Sequence, residues 1–449
     1  MKISHIPLAA TNVWAQVNHN PLLFASNVSM RFTGRPLHFD DAFWKSFREK
    51  PWDFQLESSA ASAFNGRVLH VLTNSLPHSS GGYAFRSHKI LQAQSFLGLH
   101  ATAITRLGYP VSVGRFPTER IEYVDGVEYA RSLPHLYPFS LEKQIQVQAR
   151  QIAIRAAQLG ASVLHTTTPW TNAAATSIAA KELNISWVYE VRGEPEATWA
   201  SSQSSRTCAE KSSYYQSARQ NEEAAMNAAT AVMTLSEVSA SALRQRGVDR
   251  PIVVTPNAVE DGWAEKRIPV VAARERLGLR PGRYVGAVSS IVSYEGFDDL
   301  IKALRFLPED VQVLLVGDGT ELSSLRRLAK REQLEGRVIF AGRQPHDAMA
   351  LWYSALDVFV VPRKDVNLTR TVTPLKTLQA QAFQLPIVAS DLPALREVTR
   401  GSGRYVPPGA PQKLADAIME ALGDDRERNF PVATWSEIAE RQLGVYENL

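Results

Sequence analysis

The chain has 449 residues, of which 45% are hydrophobic and 21% charged, with a formal net charge of +4. That length exceeds one ordinary core and points to two domains plus extras, while the mild, dispersed basic excess argues against nucleic acid as a partner. The single cysteine, Cys208, excludes an internal disulfide and fits a reducing compartment.

Residues 1–65 show no clean periodicity but carry Trp14, Phe39, Phe43, Trp44, Trp52 and Phe54, so an N-terminal extension ordered by packing is expected. No signal-peptide run opens it, and nowhere do about 18 apolar residues follow one another, so a cytoplasmic chain without a membrane span is expected. The basic excess of the middle third is compatible with weak attraction to the inner face of an anionic membrane, with ordinary solvated charge as the alternative.

From Arg67 the pattern becomes regular. Val68 to Thr73 reads as a buried strand, followed by a turn-rich stretch from Pro77 to Tyr83 and an amphipathic helix to about Leu97. Strands are predicted over 101–105, 162–165, 186–191, 231–235 and 251–255. Helices are predicted over 141–159 and 172–183, around Glu222, and over 238–245.

A second series places strands over 284–289, 311–316, 338–341, 358–361, 386–389 and 404–406. Its helices run over 297–307, 321–331, 347–354, 394–399 and 411–422, and a last helix over 435–446 lies beyond both series. Strands alternating with helices imply parallel sheets covered on both faces. The fold class is therefore α/β, with two Rossmann-like, doubly wound domains (residues 66–256 and 257–434) joined between Pro256 and Pro269. Ligands of such sheets bind at the carboxyl ends of the strands, here expected to face a cleft between the domains.

The most informative stretch runs from Val361 to Ser390. Arg363, Lys364, Arg370 and Lys376 surround Thr373-Pro374-Leu375, where a helix is expected to start. Unpaired amides and a partial positive charge at a helix N-terminus suit a phosphate, and Pro374 is pre-set for a first helical turn. These residues describe an anion site, read as one for a diphosphate.

Elsewhere each candidate has a bland rival. His165 is placed at a strand end facing the cleft, where it can contact a substrate or simply pack as a neutral histidine. Gly81 and Gly82 either let backbone approach a bound phosphate or merely make a turn. Glu190 and Arg192 serve either a bound substrate or an internal ion pair. Asn257 reads as a turn or hinge residue.

Together these segments resemble a retaining glycosyltransferase of family 4, of the two-Rossmann-domain architecture called GT-B. The diagnostic pieces are Val254-Thr-Pro-Asn257-Ala-Val, Tyr294-Glu295-Gly296-Phe297-Asp298, Val316-Gly-Asp-Gly319, Ala341-Gly-Arg and Thr373-Pro-Leu-Lys376 through Val388-Ala-Ser-Asp391. In the first domain, Asn74-Ser-Leu-Pro77, Ser80-Gly-Gly-Tyr83 and Tyr189-Glu-Val-Arg-Gly193 resemble a bacterial branch of the family.

The resemblance implies that the second domain holds a nucleoside diphosphate sugar, uridine-linked, and the first an acceptor. It implies that the helix within 435–449 packs back on the first domain. No cofactor and no metal are implied; an Asp-x-Asp pair is missing from the sequence, so cations and backbone dipoles would neutralise the leaving diphosphate. The expected donor-binding residues are Gly81, Gly82, Ser289, Ser290, Glu295, Arg363, Lys364, Thr373, Pro374, Leu375, Lys376 and Gln379. Tyr83, Glu190 and Arg192 are the expected acceptor-binding residues, and His165 and Thr371 the catalytic ones.

Two departures stand out. The family's Arg and, six residues on, Lys correspond to Ser289 and Glu295, so Arg363, Lys364 and Lys376 are expected to supply the missing charge. The family's paired glutamates correspond to Thr371 and Gln379. The function implied is transfer of a sugar to a glycan, lipid-linked or small-molecule acceptor. The alternative is a weakened relative acting as a nucleotide- or glycan-binding subunit for a partner transferase.

Overall fold

The computed structural model describes residues 52–54, 63–79, 81–138, 140–201, 203, 205–424 and 430–449. The chain divides into two units. One takes the residues up to Leu235 with Ala240–Thr255 and Ser436–Leu449; the other takes Ser236–Ser239 and Pro256–Trp435.

The first unit is an eight-stranded sheet. Its strands are β1 (Arg67–Leu72), β2 (His100–Thr105), β3 (Ile121–Val124), β4 (Val127–Ala130), β5 (Val163–Thr167), β6 (Ser186–Val191), β7 (Ala231–Thr234) and β8 (Ile252–Val254), in the order β3-β4-β2-β1-β5-β6-β7-β8. All neighbours are parallel except β3 and β4. Every residue of β5 and β6 is buried, as expected of central strands covered on both faces. The helix Leu141–Leu159 is capped by the Ser140 side chain and closed by left-handed Gly160. The neighbouring helix Trp170–Leu183 buries Ala173, Ala174, Ala175, Ala179 and Ala180, small residues that let helix and sheet approach closely.

The β3–β4 hairpin is absent from the sequence-based expectation. It turns on Asp125 and Gly126, both at positive φ (46° and 81°), the turn that matches strand twist. Two short helices, Pro195–Ser201 and Arg206–Glu210, are likewise unpredicted. Most of the 1–65 extension lies outside the described residues, including Trp14, Phe39, Phe43 and Trp44. Trp52 and Phe54 are described and do pack on this unit: Trp52 lies 6.3 Å from Trp170, and its N–H donates to Asn221 Oδ1 (2.8 Å). Phe54 is buried in the core beside Leu69 and Leu164.

The last helix, Trp435–Tyr446, is tied to the first unit by polar contacts in the interior. Gln94 Nε2 donates to Gln442 Oε1 (2.8 Å) and to the Tyr446 hydroxyl (3.1 Å). Tyr446 is buried in a cluster with Val68, Val163 and Val188.

The second unit is an all-parallel six-stranded sheet of β9 (Arg283–Val288), β10 (Val311–Val316), β11 (Val338–Gly342), β12 (Val358–Val361), β13 (Ile387–Ser390) and β14 (Arg404–Val406). The order β11-β10-β9-β12-β13-β14 reverses direction between β9 and β12. That reversal is the topological switch point, where doubly wound sheets bind ligands beyond the strand ends. The helix predicted over 297–307 ends at Ala303, with a 3₁₀ turn over Leu304–Phe306. Two unpredicted helices, Val270–Leu277 and Asn367–Thr371, complete the unit.

One carboxyl group of the first unit makes the fold's stability depend on pH. Glu222 is buried and accepts the Trp170 N–H (2.8 Å) and the Tyr189 hydroxyl (2.5 Å). Burial, with Glu196 nearby, raises it from an ordinary 4.5 to about 7. The folded state therefore holds its proton more tightly than the unfolded chain, and stability falls as pH rises from the unfolded value through about 7. The loss amounts to roughly 3 kcal/mol. Glu222→Gln is expected to flatten this slope between pH 5 and 7.5, as read by urea titration at each pH.

Candidate functional site

The switch point of the second unit brings together residues from four segments. Ser289 follows β9, and Glu295 ends the 3₁₀ turn Ser293–Glu295. Arg363 follows β12, and Lys376 sits in the first turn of the helix Leu375–Ala382. Glu295 lies between the two cations. Arg363 grips it with both edges of its fork, Nη2 to Oε1 at 3.0 Å and Nε to Oε2 at 3.3 Å. Lys376 Nζ forms an ion pair with Glu295 Oε2 and donates to Ser289 Oγ (2.5 Å).

Burial alone would raise the Glu295 carboxyl, but Lys376 and Arg363 outweigh it and hold the group at about 2. Burial pulls Lys376 down to about 8, against the opposing pull of Glu295. At neutral pH all three groups are charged, and the triad carries one net positive charge.

Glycine makes this geometry attainable. Gly296 has φ +72°, and a Cβ there would lie 1.9 Å from the Pro362 carbonyl oxygen, so only a missing side chain lets the Glu295 turn sit against the end of β12. Gly319 of the Gly-Asp-Gly loop does likewise beside the neighbouring strand: its Cβ would meet the Ile291 oxygen at 2.2 Å.

The helix Leu375–Ala382 begins where the sequence placed it, with no side-chain cap on its first amides. Pro374 is the residue before the helix, in extended conformation (φ −82°, ψ 128°), and so caps rather than forms the first turn that it was expected to occupy. Beside it, Thr373 and Thr377 are buried with hydroxyl oxygens that have no partner among the described residues. Leu375 is half-buried, and Ser290 is exposed.

Of the cations expected to gather here, Arg363 and Lys376 do. Lys364 does not: its Nζ is held by Asp298 (3.0 Å) and Asp299 (2.6 Å), two carboxylates not expected beside it. Arg370 pairs with Asp365 at the surface (2.5 Å). Thr371 ends the helix Asn367–Thr371 and is half-buried. Gln379 Oε1 accepts the Tyr353 hydroxyl (3.0 Å), which uses one of the oxygen's two lone pairs.

In the first unit several expectations are corrected. His165 is the third of five residues in β5, not a strand end, and is wholly buried. Its ring stacks on His70 at 4.6 Å, and Nδ1 hydrogen-bonds the Tyr446 hydroxyl (2.5 Å). Burial depresses its proton affinity, so it stays neutral and packs in the interior. Glu190 is likewise inaccessible. Arg86 donates to its Oε1 (2.6 Å) and Arg192 to its Oε2 (2.6 Å), which makes it an internal ion-pair anchor and not an acceptor contact.

Arg192 is buried too, and its Nη1 donates to Ser87 Oγ (2.6 Å). Arg86, central to this network, is not among the expected residues; the signal available was a cation on the same helix face as Ile90 and Ala93. Tyr83 alone of the expected acceptor residues is exposed (49%), its hydroxyl donating to the Arg192 carbonyl (2.7 Å). Gly81 precedes the helix Gly82–Phe96 after β1, and a Cβ on Gly81 or Gly82 would meet no atom within 4 Å. The protein itself therefore does not require glycine there.

A cavity of about 500 Å³, lined by Arg267, Pro269, Leu356 and Gln384 among others, opens at the amino ends of β12 and β13. That is the end of the sheet opposite the switch point, and Arg283 beside it is already paired with Asp310 (2.7 Å). None of the residues expected to hold a diphosphate lines it.

Both units are doubly wound α/β sheets, and comparison with solved structures shows the GT-B glycosyltransferase fold. Sucrose-phosphate synthase from Thermosynechococcus elongatus superposes with a TM-score of 0.67 at 21% identity, covering 85% of this chain and 98% of that one. Anabaena Alr3699/HepE in complex with UDP gives a TM-score of 0.61 at 17% identity, over 85% and 95%. The family model "Glycosyl transferase 4-like domain" matches residues 81–258, and "Glycosyl transferases group 1" matches residues 282–424. The two matches together span more than half of the chain, which belongs to the group 1 glycosyltransferases. D-inositol 3-phosphate glycosyltransferase of Xylanimonas cellulosilytica is 30% identical over 211 residues, 43% of this chain and 48% of that protein. The chain thus spans about half the length of the curated relatives it matches.

Gly296→Ala should cost about 3 kcal/mol or more, because it combines a strained backbone with a backbone clash. Urea unfolding of the variant checks this; a change under about 1 kcal/mol would contradict the packing described.

Proposed function

We propose that this chain is a retaining, metal-independent glycosyltransferase. It moves a sugar from a nucleoside diphosphate sugar, uridine-linked, to a glycan, lipid-linked or small-molecule acceptor. The observation that carries the reading is the position of Lys376. Its ammonium meets both Ser289 and Glu295, the two positions at which the family's Arg and Lys stand. A cation delivered from the helix Leu375–Ala382 thus takes the place of the pair that the sequence lacks.

In this reading the diphosphate rests on Lys376 and the first amides of that helix, whose dipole adds to the attraction. The side-chain amide of Gln379 binds the nucleotide ribose, and Thr371 a hydroxyl of the donor sugar. As the glycosidic bond breaks, negative charge grows on the departing phosphate, and the fixed cation and amides stabilise it without reorganising. That phosphate takes the proton of the incoming acceptor hydroxyl, so no protein base is needed and retention follows. On the first unit, Gly81 and Gly82 leave open space for a sugar substrate, and Tyr83 presents an aromatic ring and hydroxyl to the acceptor.

The relatives agree in kind: HepE is a UDP complex, and the Xylanimonas relative acts on an inositol phosphate. Among the described residues no helix is long and apolar enough to cross a membrane. A cytoplasmic enzyme, resting against the inner membrane face when its acceptor is lipid-linked, fits this reading. The second reading, a nucleotide-binding subunit for a partner transferase, draws on Thr371 and Gln379, where a carboxylate pair is missing.

A panel of uridine, guanosine and adenosine diphosphate sugars, with and without cell-envelope acceptors, separates the two by nucleotide release. Release is expected with a uridine donor; silence across the panel with intact nucleotide binding favours the second reading. Lys376→Met should weaken uridine diphosphate binding at least tenfold, about 1.4 kcal/mol by calorimetry. Unchanged affinity would remove the basis of the site.

A further inference from the structure

We infer that Glu295 is a positioning residue that holds Lys376 in its charged, phosphate-facing state, and so gives nucleotide binding a pH limit set by this one carboxylate. The inference deepens the proposed donor site and rests on it. Three observations carry it.

First, Arg363 has little left to offer a ligand. Two of its nitrogens are on Glu295, Nη1 donates to the Val372 carbonyl (2.9 Å), and the residue is only 6% exposed. Second, Lys376 has three N–H donors and two partners, Glu295 Oε2 and Ser289 Oγ, so one donor remains for a phosphate oxygen. Third, Glu295 is 4% exposed on a turn fixed by Gly296 against β12, which suits a strut better than a displaceable occupant. The order Arg363–Glu295–Lys376 is therefore a relay: the inner cation fixes the carboxylate, and the carboxylate fixes the outer cation.

The groups facing Lys376 are few. Glu295 approaches from the 3₁₀ turn and Arg363 from the end of β12. The Phe297 ring lies 5.9 Å from the ammonium, and Ser289 approaches from the end of β9. Tyr353 reaches the Lys376 carbonyl from the helix Met349–Ser354 (3.3 Å), and Asp298 and Asp299 are spent on Lys364 and Lys302. Glu295 is thus the one carboxylate in contact with Lys376 among the described residues.

Burial already brings Lys376 to about 8, and Glu295 is what opposes a further fall. The sign follows. Lysine is charged below its own value, so phosphate binding is full below about pH 8 and declines above it. Without the carboxylate, burial and Arg363 act unopposed, and the decline moves toward or below neutrality.

The test is calorimetric titration of the full chain with uridine diphosphate from pH 6 to 9.5. Wild type, Glu295→Gln, Glu295→Asp and Lys376→Met are compared, the last giving the baseline for the nucleotide's own titration. Expected is a Glu295→Gln protein at least tenfold weaker than wild type at pH 8 but within about threefold at pH 6. Glu295→Asp should keep most of the wild-type profile. If the glutamine variant does not fold, the aspartate variant should show the same shift at smaller amplitude. Equal weakening at every pH would overturn the inference in favour of a purely steric role. Tighter binding by Glu295→Gln would overturn it by making the carboxylate a competitor for the phosphate seat. If Lys376→Met binds as wild type does, the donor-site reading itself fails, and the inference with it.

Discussion

A carboxylate out of water between two cations organises the second unit. Glu295 is nearly inaccessible, and a buried charge of that kind is tolerated only when its partners are close and well oriented. Arg363 and Lys376 meet that requirement from two different elements, the end of β12 and the start of the helix Leu375–Ala382. The ion pairs therefore join the strand ends on both sides of the switch point to a helix N-terminus. Removing Glu295 leaves two cations uncompensated, and removing either cation leaves the carboxylate with a single partner, so the three segments are constrained as a set. A phosphate placed at this corner would meet a surface whose positive charge is already fixed in position, a condition for stabilising charge that develops during a reaction.

The first unit uses the same device for another purpose. Glu190, at the end of β6, is clamped between Arg86 and Arg192, and every member of the group is buried. Arg86 also donates to the Thr255 carbonyl (2.6 Å), tying the helix Gly82–Phe96 to the end of β8. The two networks differ in exposure. The lysine of the second unit keeps 12% of its side chain accessible, whereas Arg86 keeps 1%. On the proposed reading, that difference separates a binding corner from a structural anchor. Charged residues at a strand end mark a function only if one of them still faces outward.

The α/β alternation is legible in the sequence because buried parallel strands are short, β-branched and bounded by turn residues. Val311–Val316, Val358–Val361 and Arg404–Val406 have the bounds expected of them. The β3–β4 hairpin does not follow from that alternation, although Asp125-Gly126 between alternating residues is a strong hairpin signal; a hairpin interrupts a series of strands and helices. The helix Asn367–Thr371 is five residues long and polar, too short for periodicity to show. His165 is misplaced by the sequence for a physical reason. Thr166 and Thr167 read as loop because they are polar, but β-branched threonines continue the strand, and two more residues of β5 turn a supposed terminus into its middle. At the anion corner, helix start and cations are readable; which lysine stands beside Glu295 is not. Lys364 and Lys376 look alike in sequence, and only the fold shows one against Asp298 and Asp299 and the other against Glu295 and Ser289.

The most direct measurement is a crystal structure of the protein soaked with uridine diphosphate. Phosphate oxygens within hydrogen-bond distance of Lys376 Nζ and of the amides at the start of the helix Leu375–Ala382 are the result this account requires. Nucleotide bound elsewhere, with Lys376 contacting only Glu295 and Ser289, would contradict it.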